Sequence, residues 1–370
     1  MSTAARQRWP EGPRPVLFVA PPLWFCGSSL GCLELAAALE ARGSATCVLT
    51  TARGRLQPAA TPHAPVVALP WLAAPGLSAF APLVLGRRLR ALQPEVVHAH
   101  GVAQLPLARR LARALGRPLA VTVYHRGGDE RPAWVDWRGV GAIVTFSDHL
   151  KQDLVNRRGA PRARVEVVRA GTQPPAHTTE PLEDPERPPV LGTLVECAKP
   201  GSTDVLLRAV RRLLPTRPRL QVLLAMDSES PQTAVRRQIE RLGLRRQVTI
   251  CAVERLQPVL EVMDVCVLPR VEEGPGQPLL EALAAARPVV VGASGAAYDV
   301  VRDEETGLLF RPDDEQELAH AIERLLDRPD WARELGRAAR RFVTEHCSIE
   351  RAVDDLRETY RRLGVRPDAT

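Results

Sequence analysis

A chain of 370 residues exceeds what one typical hydrophobic core organises, so two domains are the starting expectation. Hydrophobic residues at 45% and charged residues at 25% exclude a disordered chain, and no apolar run is long enough to cross a bilayer. The formal charge of +7 favours an anionic ligand, polymer or surface, but aromatic residues at 4% argue against a single-stranded nucleic-acid groove.

The first thirteen residues read as a tail, without the apolar stretch of a signal peptide, so the cytoplasm is the expected location. PVLFVA, from Pro15, has the compact apolar pattern of a buried strand. A glycine-bearing loop, CGSSLG, follows, then LELAAALEARG as a helix stopped by glycine, then TCVLT as the next strand. APVVALP, PEVVHAH, PLAVTVYH and GAIVTFS continue the alternation, and SDHLKQDLVNRRG is a helix capped by Ser147. This is the pattern of a doubly wound α/β domain over 14–171.

The segment 172–189, TQPPAHTTEPLEDPERPP, has the composition of a linker. Strands and helices then resume over 190–345 as a second α/β domain. A helix at 346–363 and a tail at 364–370 close the chain. Two such domains would enclose a cleft, with ligands at the carboxyl ends of the strands. The 7 cysteines are scattered and include no CxxC, so reduced, mostly buried thiols are expected.

The stretch VEEGPGQPLLEALAAARPVV, from Val271, has the most specific chemistry. A strand, DVCVLP, leads into a turn with Gly274 and Gly276, where backbone can approach a ligand closely. Pro278 suits a first helical turn, and the helix start favours the negative charge of Glu281. Backbone amides there can cradle a diphosphate, and a carboxylate there can accept hydrogen bonds from ribose hydroxyls. An ordinary βα turn with capping acids accounts equally well for these residues alone.

EGPGQPLLEALAAARPVV resembles the E-G-F-G-x-x-x-x-E-A-x-A-x-G-x-P-V-V motif of the retaining GT-B glycosyltransferases of family 4. Pro275 stands at the aromatic position and Ala286 at the motif's later glycine. The resemblance extends over roughly residues 15–363. LAAALEARG, PEVVHAHG, VEVVRAGTQ and ETGLLF resemble further family motifs, and the last helix resembles one that braces the N-terminal domain.

The resemblance implies two Rossmann-like domains, acceptor-side and donor-side, and transfer of a sugar from a nucleotide diphosphate sugar, UDP- or GDP-linked, with retention. By the motif, Glu273 contacts the transferred sugar, Glu281 binds the nucleotide ribose, and Gly274, Gly276 and Leu280 line the same step. His125 matches the cleft histidine, while Gly27 and Gly31 resemble the first-loop glycines. Such enzymes need no metal and no separate cofactor. The expected partners are the donor and a glycan or lipid-linked acceptor of cell-envelope assembly, with peripheral membrane contact and no nucleic acid. From Arg87 to Arg117 there are seven arginines and one glutamate, which suit an anionic or lipid-linked acceptor or equally a solvated helix face.

One further departure bears on the phosphate site. In GTLVECAKPGSTDVLLRA, Thr193 stands where the diphosphate-binding arginine is usual, while Lys199 is retained. Losing an arginine removes up to five fixed donors from a phosphate site. Lys199, or Arg270 just before the motif, is expected to restore the charge; otherwise the chain is an impaired relative with a binding or auxiliary role. A sugar-nucleotide epimerase of the same shape is a more distant alternative. His100 suits either ligand contact or tight packing, and His98 is expected on the other face of its strand, as core.

Overall fold

The computed structural model describes residues 14–23, 27–52, 65–74, 76–124, 135–195, 203–226, 232–253, 255–270, 276–293 and 297–365. They form two compact units. One spans Ser28–Ala170 with Met1–Trp24 and Ile349–Thr370, and the other spans Gly171–Ser348 with Phe25–Gly27.

In the first unit the order is β1 (Val16–Val19), α1 (Gly27–Ala41), β2 (Thr46–Thr50), β3 (Val66–Ala68), α2 (Ala81–Leu92), β4 (Val96–His100), α3 (Leu105–Leu115), β5 (Leu119–Thr122), β6 (Ala142–Thr145), α4 (Asp148–Arg158) and β7 (Val165–Val167). All pairings are parallel, in the order β3-β2-β1-β4-β5-β6-β7. Strands such as VLFV and VVHAH are buried on both faces, as a sheet covered by helices on each side requires. The chain winds outward from β1 through β2 and β3, then restarts on the other side of β1 with β4. The carboxyl ends of β1 and β4 therefore flank a switch point, where doubly wound sheets bind ligands.

The second unit repeats the plan with β8 (Val190–Val195), α5 (Asp204–Leu213), β9 (Gln221–Met226), α6 (Thr233–Arg241), β10 (Val248–Ala252), α7 (Gln257–Val262), β11 (Val265–Leu268), α8 (Gln277–Ala284), β12 (Val289–Gly292), β13 (Leu308–Phe310), α9 (Glu315–Asp327) and α10 (Pro329–His346). Its parallel order is β10-β9-β8-β11-β12-β13, so its switch point lies between β8 and β11. The last helix, α11 (Ile349–Arg362), packs Ala352, Val353, Leu356 and Tyr360 into the first unit's core beside Val16, Phe18 and Val144. Each unit has its own apolar core.

The structure revises two local expectations. The glycine-bearing loop is shorter than its composition suggests, because α1 already begins at Gly27 and Gly31 lies inside the helix. Ser29 Oγ donates to the Pro22 carbonyl at 3.2 Å, which fastens the helix start to the end of β1. The proline-rich segment 172–189 has no regular structure, yet it is tied along its length to the second unit. Arg340 donates to the Pro175 carbonyl at 2.8 Å, Arg333 to the Leu182 carbonyl at 2.8 Å, and Arg337 meets Glu180 at 3.0 Å. Proline and polar content signalled a lack of secondary structure; they did not signal freedom.

Candidate functional site

At the second unit's switch point, β11 (VCVL) runs fully buried to Leu268. A Cβ on Gly292 would overlap the Pro269 carbonyl, so β12 passes the strand exit with no room for a side chain. Arg270 comes next and is half-exposed. Its Nη2 donates to both carboxylate oxygens of Asp313 at 2.9 and 2.8 Å.

Gly276 then opens α8 with φ 58° and ψ 109°, in the half of backbone space that glycine enters without cost. Its carbonyl accepts from the amides of Leu279 at 2.9 Å and Leu280 at 3.1 Å. Every residue of α8 is buried, and Glu281 is its one charged residue. Gln277 Nε2 donates to the Gly171 carbonyl at 3.3 Å. The helix ends on Ala286 at φ 55°, the position of the family motif's glycine. Gly336 of α10 packs so closely on the Ala286 carbonyl that a Cβ there would overlap it.

Thr193 lies inside β8, in register with Leu224, and is 1% exposed. Glu273, Gly274 and Lys199 lie outside the described residues, as does His125. Gly276, Leu280 and Glu281 come together on α8, with Glu281 in the second turn rather than at the helix start the sequence suggested, and Arg270 lies just past the end of β11. Gly27 and Gly31 belong to α1, the first helix after β1.

At the first unit's switch point, β4 ends in His98, Ala99 and His100. The two imidazoles share one face of the strand, with centroids 4.7 Å apart, contrary to the expectation that His98 takes the other face. Residues two apart on a strand point the same way. His98 is a core residue nonetheless. Its Nδ1 lies 2.6 Å from the Tyr360 hydroxyl and its Nε2 lies 2.8 Å from the Thr122 hydroxyl, linking β4, β5 and α11.

His100 Nδ1 is 2.5 Å from the Tyr124 hydroxyl, and the ring meets Phe18 edge-on at 4.7 Å. Its Nε2 is buried and has no hydrogen-bond partner among the described residues. Burial lowers the His100 pKa to about 3, and burial with the neighbouring His100 lowers that of His98 well below the usual value, so both rings are neutral. His100 thus ends β4 beside the switch point with one ring nitrogen held by Tyr124 and the other buried, which is compatible with either reading that the sequence left open.

A third polar cluster stands at the other edge of the second sheet. Asp264, just before β11, accepts from the amides of Leu182 and Val190, each at 2.8 Å, and from Arg187. Arg287, just before β12, is 1% exposed and donates to the carbonyls of Ala285, Met263 and Thr179. These groups bind the segment 179–190 and lie at the amino edge, away from the ligand edge of the sheet. Among the described residues, no group of three or more His, Cys, Asp or Glu is placed to hold a metal ion. Burial raises the Cys47 and Cys266 thiols to about 12.

The family model described as Glycosyltransferase Family 4 matches residues 26–174, and that described as Glycosyl transferases group 1 matches residues 189–328. The chain is 31% identical to the D-inositol 3-phosphate glycosyltransferase of Rhodococcus erythropolis over 253 residues, 61% of this chain and 56% of that relative. It is 28% identical to the alpha-maltose-1-phosphate synthase of Mycolicibacterium smegmatis over 300 residues, 74% of each chain. Among solved structures, Anabaena HepE in complex with UDP and glucose superposes with a TM-score of 0.77 at 18% identity, covering 94% of this chain and 99% of that one. With two doubly wound units and a family match on each, the chain belongs to the GT-B glycosyltransferases of the family 4, group 1 type.

Proposed function

We propose that the protein transfers a sugar from a UDP- or GDP-linked donor to an acceptor hydroxyl, retaining the anomeric configuration and using no metal. The observation that carries this reading is the β11–α8 step: a buried helix, opened by a left-handed glycine, holds one carboxylate beside the β8–β11 switch point. Glu281 accepts hydrogen bonds from the ribose hydroxyls, Glu273 orients the hydroxyls of the transferred sugar, and backbone at Gly274 and Gly276 admits the diphosphate. Lys199 supplies positive charge to the leaving group. It is one of only two lysines in the chain.

In the transfer, the acceptor oxygen forms a bond to the anomeric carbon on the face from which the diphosphate departs, and a phosphate oxygen takes the acceptor proton. The two glutamates bind and orient the donor. They do not form a hydrolytic pair, which needs carboxylates on opposite sides of the scissile bond. His125 serves the acceptor side, and the acceptor is a glycan or lipid-linked hydroxyl of the cell envelope. The UDP and glucose held by Anabaena HepE support the donor class.

Incubation with UDP-, GDP- and dTDP-sugars, with and without candidate acceptors, tests the proposal. Acceptor-dependent release of one nucleoside diphosphate is expected, and no binding and no turnover with any donor would sink it. One second reading has a specific observation behind it. Thr193 is enclosed in β8 and Arg270 is held by Asp313, which fits a protein that binds a nucleotide sugar without transferring it. Saturable donor binding without turnover on any acceptor would support that reading.

A further inference from the structure

At the amino ends of β1, β2 and β4 the first unit has a cavity of about 40 Å³. That is the space of about three waters, which suits a phosphate group and is too small for a sugar or a base. Its buried lining is Val16, Leu39 and Tyr360, whose hydroxyl is already held by His98. Around them stand Arg14, Arg357 and Arg361 with one acid, Glu95, a formal +2. The cavity lies at the opposite end of the strands from His100 and the switch point.

Solvated surface arginines are ordinary, and Arg361 is one: it pairs with Glu358 of its own helix at 3.2 Å. Arg357 is different. It is half-buried, and among the described residues neither it nor Arg14 has a hydrogen-bond or ion-pair partner. Nearby arginines are satisfied across elements, Arg42 by Asp354 at 3.0 Å and Arg362 by Glu166 at 2.8 Å. Three guanidiniums gathered around one apolar-walled cavity repel one another, and a single carboxylate offsets only part of that repulsion. The C-termini of α1 and α11 border the site, where their dipoles oppose an anion, but their last carbonyls are taken. The Leu39 carbonyl accepts from the Ser44 amide at 3.0 Å, and the Tyr360 carbonyl accepts from the amides of Leu363 at 3.0 Å and Val365 at 3.2 Å.

The geometry points to an anion site for one phosphate group, free or at the end of a small monoester. A phosphate monoester carries a charge of about −2 at neutral pH, which matches the formal +2 of the lining. Arg357 and Arg14 supply planar guanidinium forks, the shape that binds phosphate oxygens in pairs. The apolar walls at Val16 and Leu39 strengthen that attraction by lowering the local dielectric. A carboxylate fits less well, because its single charge leaves half of the +2 unmatched. A nucleotide sugar is excluded by size. The inference goes beyond the transferase reading and does not rest on it, because the site uses none of the residues assigned to donor or acceptor.

Calorimetric titration of inorganic phosphate and of glycerol phosphate into the full chain, at constant ionic strength, tests it. At least one of them is expected to saturate with a Kd of about 1 mM or below. Phosphate binding at least as tightly as the ester assigns the site to free phosphate, and a tighter ester assigns it to a monoester. Arg357→Gln should weaken binding at least about tenfold, because a charged hydrogen-bond donor is lost. Arg14→Gln, at an exposed position, should weaken it about threefold. Arg42→Gln, at the same edge but outside the lining, should bind as the wild type does. Because Arg357 has no partner to lose, the unfolding midpoint of Arg357→Gln without phosphate should match the wild type. No saturation by either probe below about 10 mM, or wild-type affinity in Arg357→Gln, would overturn the inference. So would binding that is lost in Lys199→Gln and kept in Arg357→Gln, which would place the anion at the donor site. Neither probe contains a nucleotide, so failure here leaves the transferase reading standing.

Discussion

Beneath the carboxyl ends of β4 and β5 the first unit buries neutral polar groups: His98, His100, Thr122 and Tyr124, with Tyr360 reaching in from α11. The second unit instead buries charges, Asp264 and Arg287, at the amino ends of β11 and β12. The two sheets share a winding rule but place these two polar clusters at opposite edges. In the second unit the charges act as anchors for the segment 179–190 and leave the carboxyl edge to a ligand. In the first unit the polar cluster stands at the ligand edge itself, and burial keeps it uncharged.

The largest expected effect tests the anchoring role. Asp264→Ala removes the acceptor of two backbone amides and of Arg187, and it takes the nearest opposing charge from buried Arg287. Stability should fall by about 3–5 kcal/mol in urea unfolding, with nucleotide binding by the folded protein unchanged. A loss below about 1 kcal/mol would break the comparison.

The neutral cluster should reveal itself through pH. The folded pKa values of His98 and His100 are depressed, so below about 6.5 the unfolded chain takes up protons that the folded chain refuses. Stability is therefore present above that pH and lost as pH falls, with a slope of about 1.4 kcal/mol per pH unit for each histidine. Denaturation followed from neutral pH downward should become shallower in His100→Gln. An unchanged slope would show that His100 is protonated or solvated in the native state.

Two smaller effects sharpen the account of the ligand edge. Asp313→Asn should release Arg270 from its half-exposed pair and lower the donor KM about two- to threefold, in line with the weak energy of such pairs. An unchanged KM would leave the diphosphate to Lys199 alone. Ala286→Gly relieves a left-handed alanine and should stabilise the protein by about 0.5–1 kcal/mol, read as a raised unfolding midpoint.

Most strands were legible because parallel strands buried on both faces are short apolar runs between turn signals, as in VLFV and VCVL. The α8 step was legible because Gly276 and Pro278 mark a helix start with little ambiguity. Composition could not show that 172–189 is fastened, since its partners Arg333, Arg337 and Arg340 lie some 150 residues away in sequence. Nor could it show that Arg270 is occupied by Asp313, a residue 43 positions later. The placement of His98 was legible, because strand alternation puts it on the face of His100. Its role as a bridge to Tyr360 was not, because that contact spans 262 residues.

The central claim is that Glu281, in the second turn of α8, binds the ribose of a nucleotide-sugar donor. Calorimetric titration of UDP and of GDP into wild type and Glu281→Ala tests it most directly. The account predicts saturable binding of one of the two, weakened at least about tenfold in Glu281→Ala as a charged acceptor is lost, with the unfolding midpoint preserved. Equal affinity in both proteins, or no binding of either nucleotide, would contradict it.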